Sequence, residues 1–246
     1  MAKIELKKVN VLYEDKGRNF ITAIDDVSFS FHEKAINVLM GASGSGKSTL
    51  LKCLTGELIY EGHILYDGKE LEPIKPKDRK ISYMTQDLTI YPHMNVYENI
   101  MFPLKLTKMD YDLADQKIKE IATELDIDYL LTRKPKYISL GQASRVALAK
   151  ALVKDSALYL FDEPTKGLDL ENKNKVMNLI KNHLKKHGKT AIYVTHESQD
   201  ALFLADYIYV IDKGKFIGVF TPREYLQSDN EIIKQLRSDL DETKKD

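Results

Sequence analysis

The residues Gly41-Ala42-Ser43-Gly44-Ser45-Gly46-Lys47-Ser48-Thr49 follow the spacing G-x-x-x-x-G-K-[ST], in which backbone and side chain together can hold phosphate. Glycines at these positions let the chain curl so that successive N–H groups face one concavity, an anion-binding nest. The pattern is meaningful only between a strand and a helix, and both flanks fit. Ile36–Met40 is a short apolar run that reads as a buried strand, and Lys47-Ser48-Thr49-Leu50-Leu51 reads as the start of a helix. That helix start adds unsatisfied N–H groups and a partial charge of about +0.5. Lys47 is expected to reach the β- and γ-phosphates and Ser48 to offer its hydroxyl to Mg²⁺. The loop implies binding of a nucleoside triphosphate.

Further chemistry gathers at the ends of other apolar runs. ALYLF (157–161) runs directly into Asp162 and Glu163, and two adjacent carboxylates after a buried strand are costly without a cation. Asp162 suits Mg²⁺ at the carboxyl end of a parallel strand, where ligands collect in open α/β sheets. Glu163 can orient or deprotonate a water. TAIYVT (190–195) ends in His196, and the run from Arg79 to Asp87 is expected to form a strand ending at Gln86. An imidazole there can bond a γ-phosphate, and an amide can serve Mg²⁺ or a water; each could equally be structural. Tyr13 at the end of the first strand is either an edge aromatic or a ring stacked on a nucleobase. His183 and His187 stand at i, i+4, the spacing of a zinc pair. Lysines surround both, and they read as a solvated helix face.

The elements that must carry these residues follow from period and punctuation. Residues 4–13 read as a strand and 17–31 as a second pair of strands with a turn between, giving an antiparallel β region. Asp67-Gly68 marks a hairpin within 62–71. Pro92 and Pro103 bracket a short amphipathic helix. Residues 111–131 are predicted helical, with Ile118, Ile121, Ala122 and Leu125 on one face, and 138–155 form another helix. A helical segment over about 87–154 is therefore expected as an insert in an α/β chain. Helix 171–186, strand 190–195 and two strands flanking the turn at Asp212-Lys213-Gly214 complete the pattern. Residues 221–246 read as a helix fading into a charged tail.

Composition sets the outer bounds. The chain has 246 residues, 43% hydrophobic and 30% charged, with 37 basic and 37 acidic side chains. Zero formal charge does not advertise a nucleic-acid partner. There is no apolar run of membrane-spanning length and no secretory signal at the start, so a cytosolic chain is expected. The single Cys53 excludes an internal disulfide and reads as a buried helix residue.

In this order the motifs resemble the nucleotide-binding subunit of an ATP-binding-cassette (ABC) transporter, over about residues 3–230. The aromatic Tyr13, Walker A (41–49), Gln86, the signature Ser139-Leu140-Gly141-Gln142, Walker B (158–163), Gly167-Leu168-Asp169 and His196 are all present. The resemblance implies an α/β P-loop NTPase core with an antiparallel β subdomain and a helical subdomain, one domain over 1–230 followed by a tail over 231–246. It implies two subunits facing head to tail with ATP between them. It assigns Tyr13 to adenine, Gly41, Ser43, Gly44, Ser45, Gly46, Lys47 and Thr49 to the phosphate loop, and Ser48, Gln86 and Asp162 to Mg²⁺. Glu163 becomes the catalytic base and His196 the γ-phosphate contact. Ser139 and Gly141 serve the ATP of a partner cassette, in a homo- or heterodimer, and Gln142 and Asp169 join the nucleotide-binding set.

Leu140 departs from the usual signature glycine, Ala143 and Ser144 stand where glutamines are usual, and Lys166 replaces a common serine. The segment 81–106 resembles carbohydrate-importer ATPases, in which it docks onto the membrane permease, here near Gln86–Asn99. An importer ATPase on the cytoplasmic face of the membrane is the expectation, serving permease subunits and indirectly a solute-binding protein, with sugars first among substrates. An exporter ATPase, a soluble non-transport cassette and a binding-only subunit are the alternatives.

Overall fold

The computed structural model describes residues 3–14 and 20–242, the last two by backbone alone. The chain begins with β1 (Ile4–Glu14) and β2 (Phe20–Ser30), which pair antiparallel. β2 is one strand where a turn was expected; its described part continues through Ile24 and Asp25, and Asp26, left-handed at φ 46°, and the register shifts against β1 are absorbed within it. Next come β3 (Ile36–Met40), α1 (Lys47–Thr55), and the hairpin β4 (Glu61–Tyr66) and β5 (Lys69–Glu70) around Asp67-Gly68. Both turn residues have positive φ, as a tight hairpin requires. β6 is Ile81–Met84.

Three helices lie between β6 and β7: α2 (Val96–Leu106), α3 (Tyr111–Glu124) and α4 (Leu140–Leu152). Each has a side-chain N-cap: Asn95 with Glu98, Asp110, and Ser139 with Gln142. Pro103 lies inside α2 rather than at its end. Ile100, Met101 and Leu104 around it are buried, and this packing outweighs the backbone hydrogen bond that proline cannot make. The helix expected over 111–131 stops at Glu124, because Asp126 turns left-handed at φ 52°; residues 128–130 form a separate 3₁₀ turn.

β7 (Leu158–Asp162), α5 (Leu170–Lys186), β8 (Thr190–Thr195), α6 (Ser198–Leu204), β9 (Tyr207–Asp212) and β10 (Lys215–Phe220) follow. The terminal region forms α7 (Pro222–Gln227), α8 (Glu231–Leu236) and α9 (Ser238–Glu242) instead of one fading helix. It is broken where Asn230 caps a new start. It is also docked: the Ser198 hydroxyl donates to Leu236 O at 2.8 Å, and Asp239 accepts from Ser198 N at 2.6 Å.

The strands make two sheets. One is antiparallel, in the order β2-β1-β4-β5; the other runs β10-β9-β3-β8-β7-β6. In the second, β9, β3, β8, β7 and β6 are mutually parallel and β10 is an antiparallel edge. Its central strands are buried along their whole length, as a sheet covered on both faces demands. Period-2 alternation sorts their side chains. Leu39, Leu158, Leu160, Ile192 and Val194 join α1 and the antiparallel sheet in one core, while Val38, Met40, Tyr159, Phe161 and Tyr193 face the helices in the other. This is an α/β P-loop NTPase architecture, with β3, β7 and β8 aimed the same way.

Candidate nucleotide site

The loop after β3 is shaped by its glycines. Gly44 and Gly46 have φ of 78° and 105°, the left-handed region. A Cβ on Gly41 would sit 2.1 Å from Ile211 O and one on Gly46 2.4 Å from Ala23 O, so both close approaches exclude any side chain. Ala42, Ser43 and Gly44 form the exposed crest, and Ser45 is buried beneath. α1 has no side-chain N-cap bond and no acidic residue in its first turn, leaving the positive end of its dipole directed at the loop.

Lys47 is buried, and its ammonium donates to Gly41 O and Ala42 O, each at 2.8 Å. Burial pushes its pKa down, against the pull of the Glu163 and Asp162 carboxylates. Ser48 donates to Asp162 Oδ1 at 3.0 Å, and Tyr83 donates to Asp162 Oδ2 at 3.1 Å. The Tyr13 hydroxyl donates to Thr49 Oγ1 at 3.2 Å, so the end of β1 meets the phosphate-loop helix.

β7 delivers the carboxylates. Asp162 is the last residue of the strand and is buried. Glu163 follows at φ 47°, a left-handed position that costs a non-glycine residue about 1–2 kcal/mol. Its N–H donates to Val194 O at 3.1 Å, which fastens the turn to β8. Glu163 Oε1 lies 2.9 Å from His196 Nδ1, and Oε2 lies 3.0 Å from Lys166 Nζ. Burial alone would push this carboxyl up; the contacts with His196 and Lys166 outweigh it and hold the group below its usual value.

Gln86 lies two residues past the end of β6, not on the strand as expected, because β6 stops at Met84. Met84 is opposite Phe161 in the parallel pair, so Gln86 emerges at the same sheet end as Asp162, exposed and without a hydrogen bond among the described residues. The signature residues are turned elsewhere. Ser139 and Gln142 close on each other in the α4 cap, and Gln142 also donates to Tyr129 at 3.3 Å. Gly141 abuts Asn172, Leu140 is 54% exposed, and Asp169 caps α5 by accepting from Asn172 N at 2.9 Å. No hydrogen bond or ion pair among the described residues joins Ser139, Leu140, Gly141, Gln142 or Asp169 to the phosphate loop. The site is thus split into a Walker half, assembled within the chain, and an outward-facing signature half.

Tyr83, the contact made by Lys166, and Arg79 escaped the sequence reading. Tyr83 alternates with the buried Ser82 and Met84, and that register, set against β7, is the signal for its reach to Asp162. Arg79 is 5% exposed and donates to Ile74 O, Cys53 O and Leu54 O at 2.8, 3.1 and 2.9 Å, capping α1 from behind; nothing in the local sequence marks it. His183, expected on a solvated face, is buried against Glu124.

A glycine-lined loop at a bare helix N-terminus, with a lysine inside it and a serine–aspartate pair beside it, defines a nucleoside-triphosphate-binding P-loop protein. The chain belongs to the ABC transporter family, whose model matches residues 24–166. It is 38% identical to the oligosaccharides import ATP-binding protein MsmX of Bacillus subtilis, over 91% of this chain and 60% of that protein. It is 34% identical to the spermidine/putrescine import ATP-binding protein PotA of Clostridioides difficile, over 94% and 65%. The molybdate/tungstate import ATP-binding protein WtpC of Pyrococcus horikoshii is 38% identical over 81% and 58%. The chain therefore spans about three-fifths of the length of these relatives. Among solved structures, the dimeric post-hydrolysis state of the ATP-binding cassette MJ0796 bound to ADP and Pi superposes with a TM-score of 0.80 at 28% identity, covering 89% of this chain and 99% of that one.

Proposed function

We propose that this chain is the ATP-hydrolysing subunit of an importer for a small solute, with sugars first among candidates. The observation that carries this is the convergence of Lys47, Ser48, Asp162, Glu163 and His196 at one end of the parallel sheet. In this reading Lys47 exchanges its loop carbonyls for the phosphates, and Tyr13 stacks on adenine. Ser48, Asp162 and Gln86 would hold Mg²⁺; the Ser48–Asp162 contact at 3.0 Å fits hard oxygen donors for that ion. When bound it neutralises charge on the β- and γ-oxygens. Glu163, held ionised by its contacts with His196 and Lys166, takes the proton of the water that attacks the γ-phosphorus as ADP leaves, and His196 steadies Glu163 and contacts the γ-phosphate.

The exposed signature supports a head-to-tail pair of cassettes in which Ser139, Gly141, Gln142 and Asp169 serve the partner's ATP. Residues 1–230 act as one nucleotide-binding unit, with 87–154 as its helical insert and 231–246 as its tail. Permease subunits dock on the loop from Gln86 towards Asn99. Asn99 itself is buried and ties Tyr91 and Asn95 together through its amide, so it shapes this surface from beneath. No helix among the described residues is long and apolar enough to cross a membrane; the chain sits peripherally at the cytoplasmic face, and a solute-binding protein acts through the permease. The names of the relatives, importers of oligosaccharides, polyamines and oxyanions, favour import over export.

Two measurements test this. Glu163→Gln should retain ATP binding and lose steady-state phosphate release; equal turnover of variant and wild type removes Glu163 as the base. Tagged protein purified from gently solubilised membranes should bring down permease subunits and a solute-binding protein. Ribosomal proteins or nucleic acid in their place would overturn the transport reading.

A further inference from the structure

His183 and His187, one turn apart on α5, acquire a third neighbour in the fold. Glu124, the last residue of α3, brings Oε1 to 2.7 Å from His183 Nδ1. The two imidazole rings stand 4.5 Å apart between centroids. One ligand atom from each of the three residues lies within 4.8 Å of the others. We propose that Glu124, His183 and His187 form a binding site for a divalent transition-metal ion of zinc type, remote from the nucleotide loop.

The donor set is two imidazole nitrogens and one carboxylate oxygen, three protein ligands with a position left over, which suits Zn²⁺. At Zn–N and Zn–O lengths near 2.1 Å, tetrahedral donors sit about 3.4 Å apart. The His183–Glu124 pair, now a hydrogen bond at 2.7 Å, gives up its proton and opens by roughly 0.7 Å to take the ion. The remaining closure falls on His187, whose exposed side chain can rotate. Placement favours a cation as well. Glu124 ends α3 and His187 caps the end of α5, so two helix C-termini, each carrying roughly half a negative charge, point at the cluster. The site opens onto a cavity of about 970 Å³ with room for a water in the fourth position; its wall carries Glu120 and Asp155 but also Lys117, Lys119 and Lys189, so the helix ends and the Glu124 carboxylate, not the wall as a whole, supply the negative field. Lys186, 3.4 Å from Glu124 Oε2 and 65% exposed, engages the other carboxylate oxygen and can swing into solvent. A bound ion would tie α3, between β6 and β7, to α5 of the main body.

The test is titration of the untagged, chelator-stripped protein with Zn²⁺ by calorimetry, alongside Co²⁺ absorption. Saturable binding of one equivalent is expected, with Co²⁺ giving the intense visible bands of a tetrahedral nitrogen–oxygen site. His187→Ala and Glu124→Gln should each weaken binding by at least about tenfold, the scale on which even outer-sphere partners of a metal act. His196→Ala should leave it unchanged, because His196 belongs to the nucleotide site. His187 is exposed, so its variant tests the ligand set without risk to the core. Absence of saturable binding, or binding lost in His196→Ala and kept in His187→Ala, overturns the proposal.

Discussion

Arg79→Ala should destabilise the protein through the helix that carries the phosphate loop. The guanidinium sits behind the C-terminus of α1, where the last carbonyls of a helix have no partner of their own and a cation meets the negative end of the dipole. Of its three acceptors, Cys53 O also receives the Gly56 N–H at 3.2 Å, but no second donor reaches Leu54 O or Ile74 O among the described residues. The buried Leu54 O therefore loses its donor, at about 1–2 kcal/mol, together with one charge-assisted bond of about 1.5–3 kcal/mol, while the half-buried Ile74 O can turn to water. The sum is about 3–5 kcal/mol, a large share of the roughly 5–15 kcal/mol by which domains are stable. With a urea m-value of about 3 kcal/mol/M, the unfolding midpoint should fall by ~1–1.5 M while m stays constant. Arg79→Lys keeps the charge but replaces the planar fork with a single ammonium, so it should recover only part of the loss. A drop below about 1 kcal/mol for alanine, or a lysine variant equal to wild type, would refute the argument that the fork holds α1.

Three further outcomes follow from the site. In Lys166→Ser the acid limb of the ATPase pH profile should move to higher pH. Losing the ammonium 3.0 Å from Glu163 removes a contact that lowers its carboxyl pKa, so the base is protonated earlier as pH falls; an unmoved limb would mean that the pair does not persist during turnover. Tyr13→Ala should weaken nucleotide binding about fivefold or more, the lower end of base–aromatic stacking, while Tyr13→Phe stays close to wild type in a fluorescent-nucleotide titration. Equal losses would shift the role from the ring to the Thr49 hydrogen bond. Gly141→Ala puts a Cβ 2.5 Å from Asn172 Oδ1. Pushing Asn172 from Asp169 should cost about 1 kcal/mol, a thermal midpoint lower by ~2–4 °C, and an unchanged midpoint would show that Asn172 yields freely.

What could be read from the chain followed how local the physics was. Residues 36–51 contain the strand, the left-handed glycines and the helix start in one stretch, so sequence and structure agree there almost residue by residue. The Ser139–Gln142 and Asp169–Asn172 caps are equally local, three residues apart. Pro103 misled because proline punctuation is a backbone rule, whereas α2 is held by Ile100, Met101 and Leu104 against neighbours far along the chain. The turn expected within 17–31 failed for a related reason: β2 absorbs the left-handed Asp26 and its register shifts without breaking, and pairing with β1, not the residue type, decides between a bulge and a turn.

The histidines show the same limit from the other side. Their lysine-rich context is legible and argues for solvent, and Lys185, Lys186 and His187 are indeed exposed. His183 turns inward because α5 buries Val176, Ile180, His183 and Leu184 on one face, a helical stripe that continues through a polar residue. A polar group on such a stripe needs a partner, and Glu124 supplies it from 59 positions away. Periodicity could have placed His183 inside the protein, but only the packing of α3 against the end of α5 decides which carboxylate meets it. The ligand set of a metal site, unlike a phosphate loop, is therefore a property of the tertiary fold. The Zn²⁺ titration with Glu124→Gln probes that packing directly, since neither histidine is altered in the variant and only the contribution of α3 is removed.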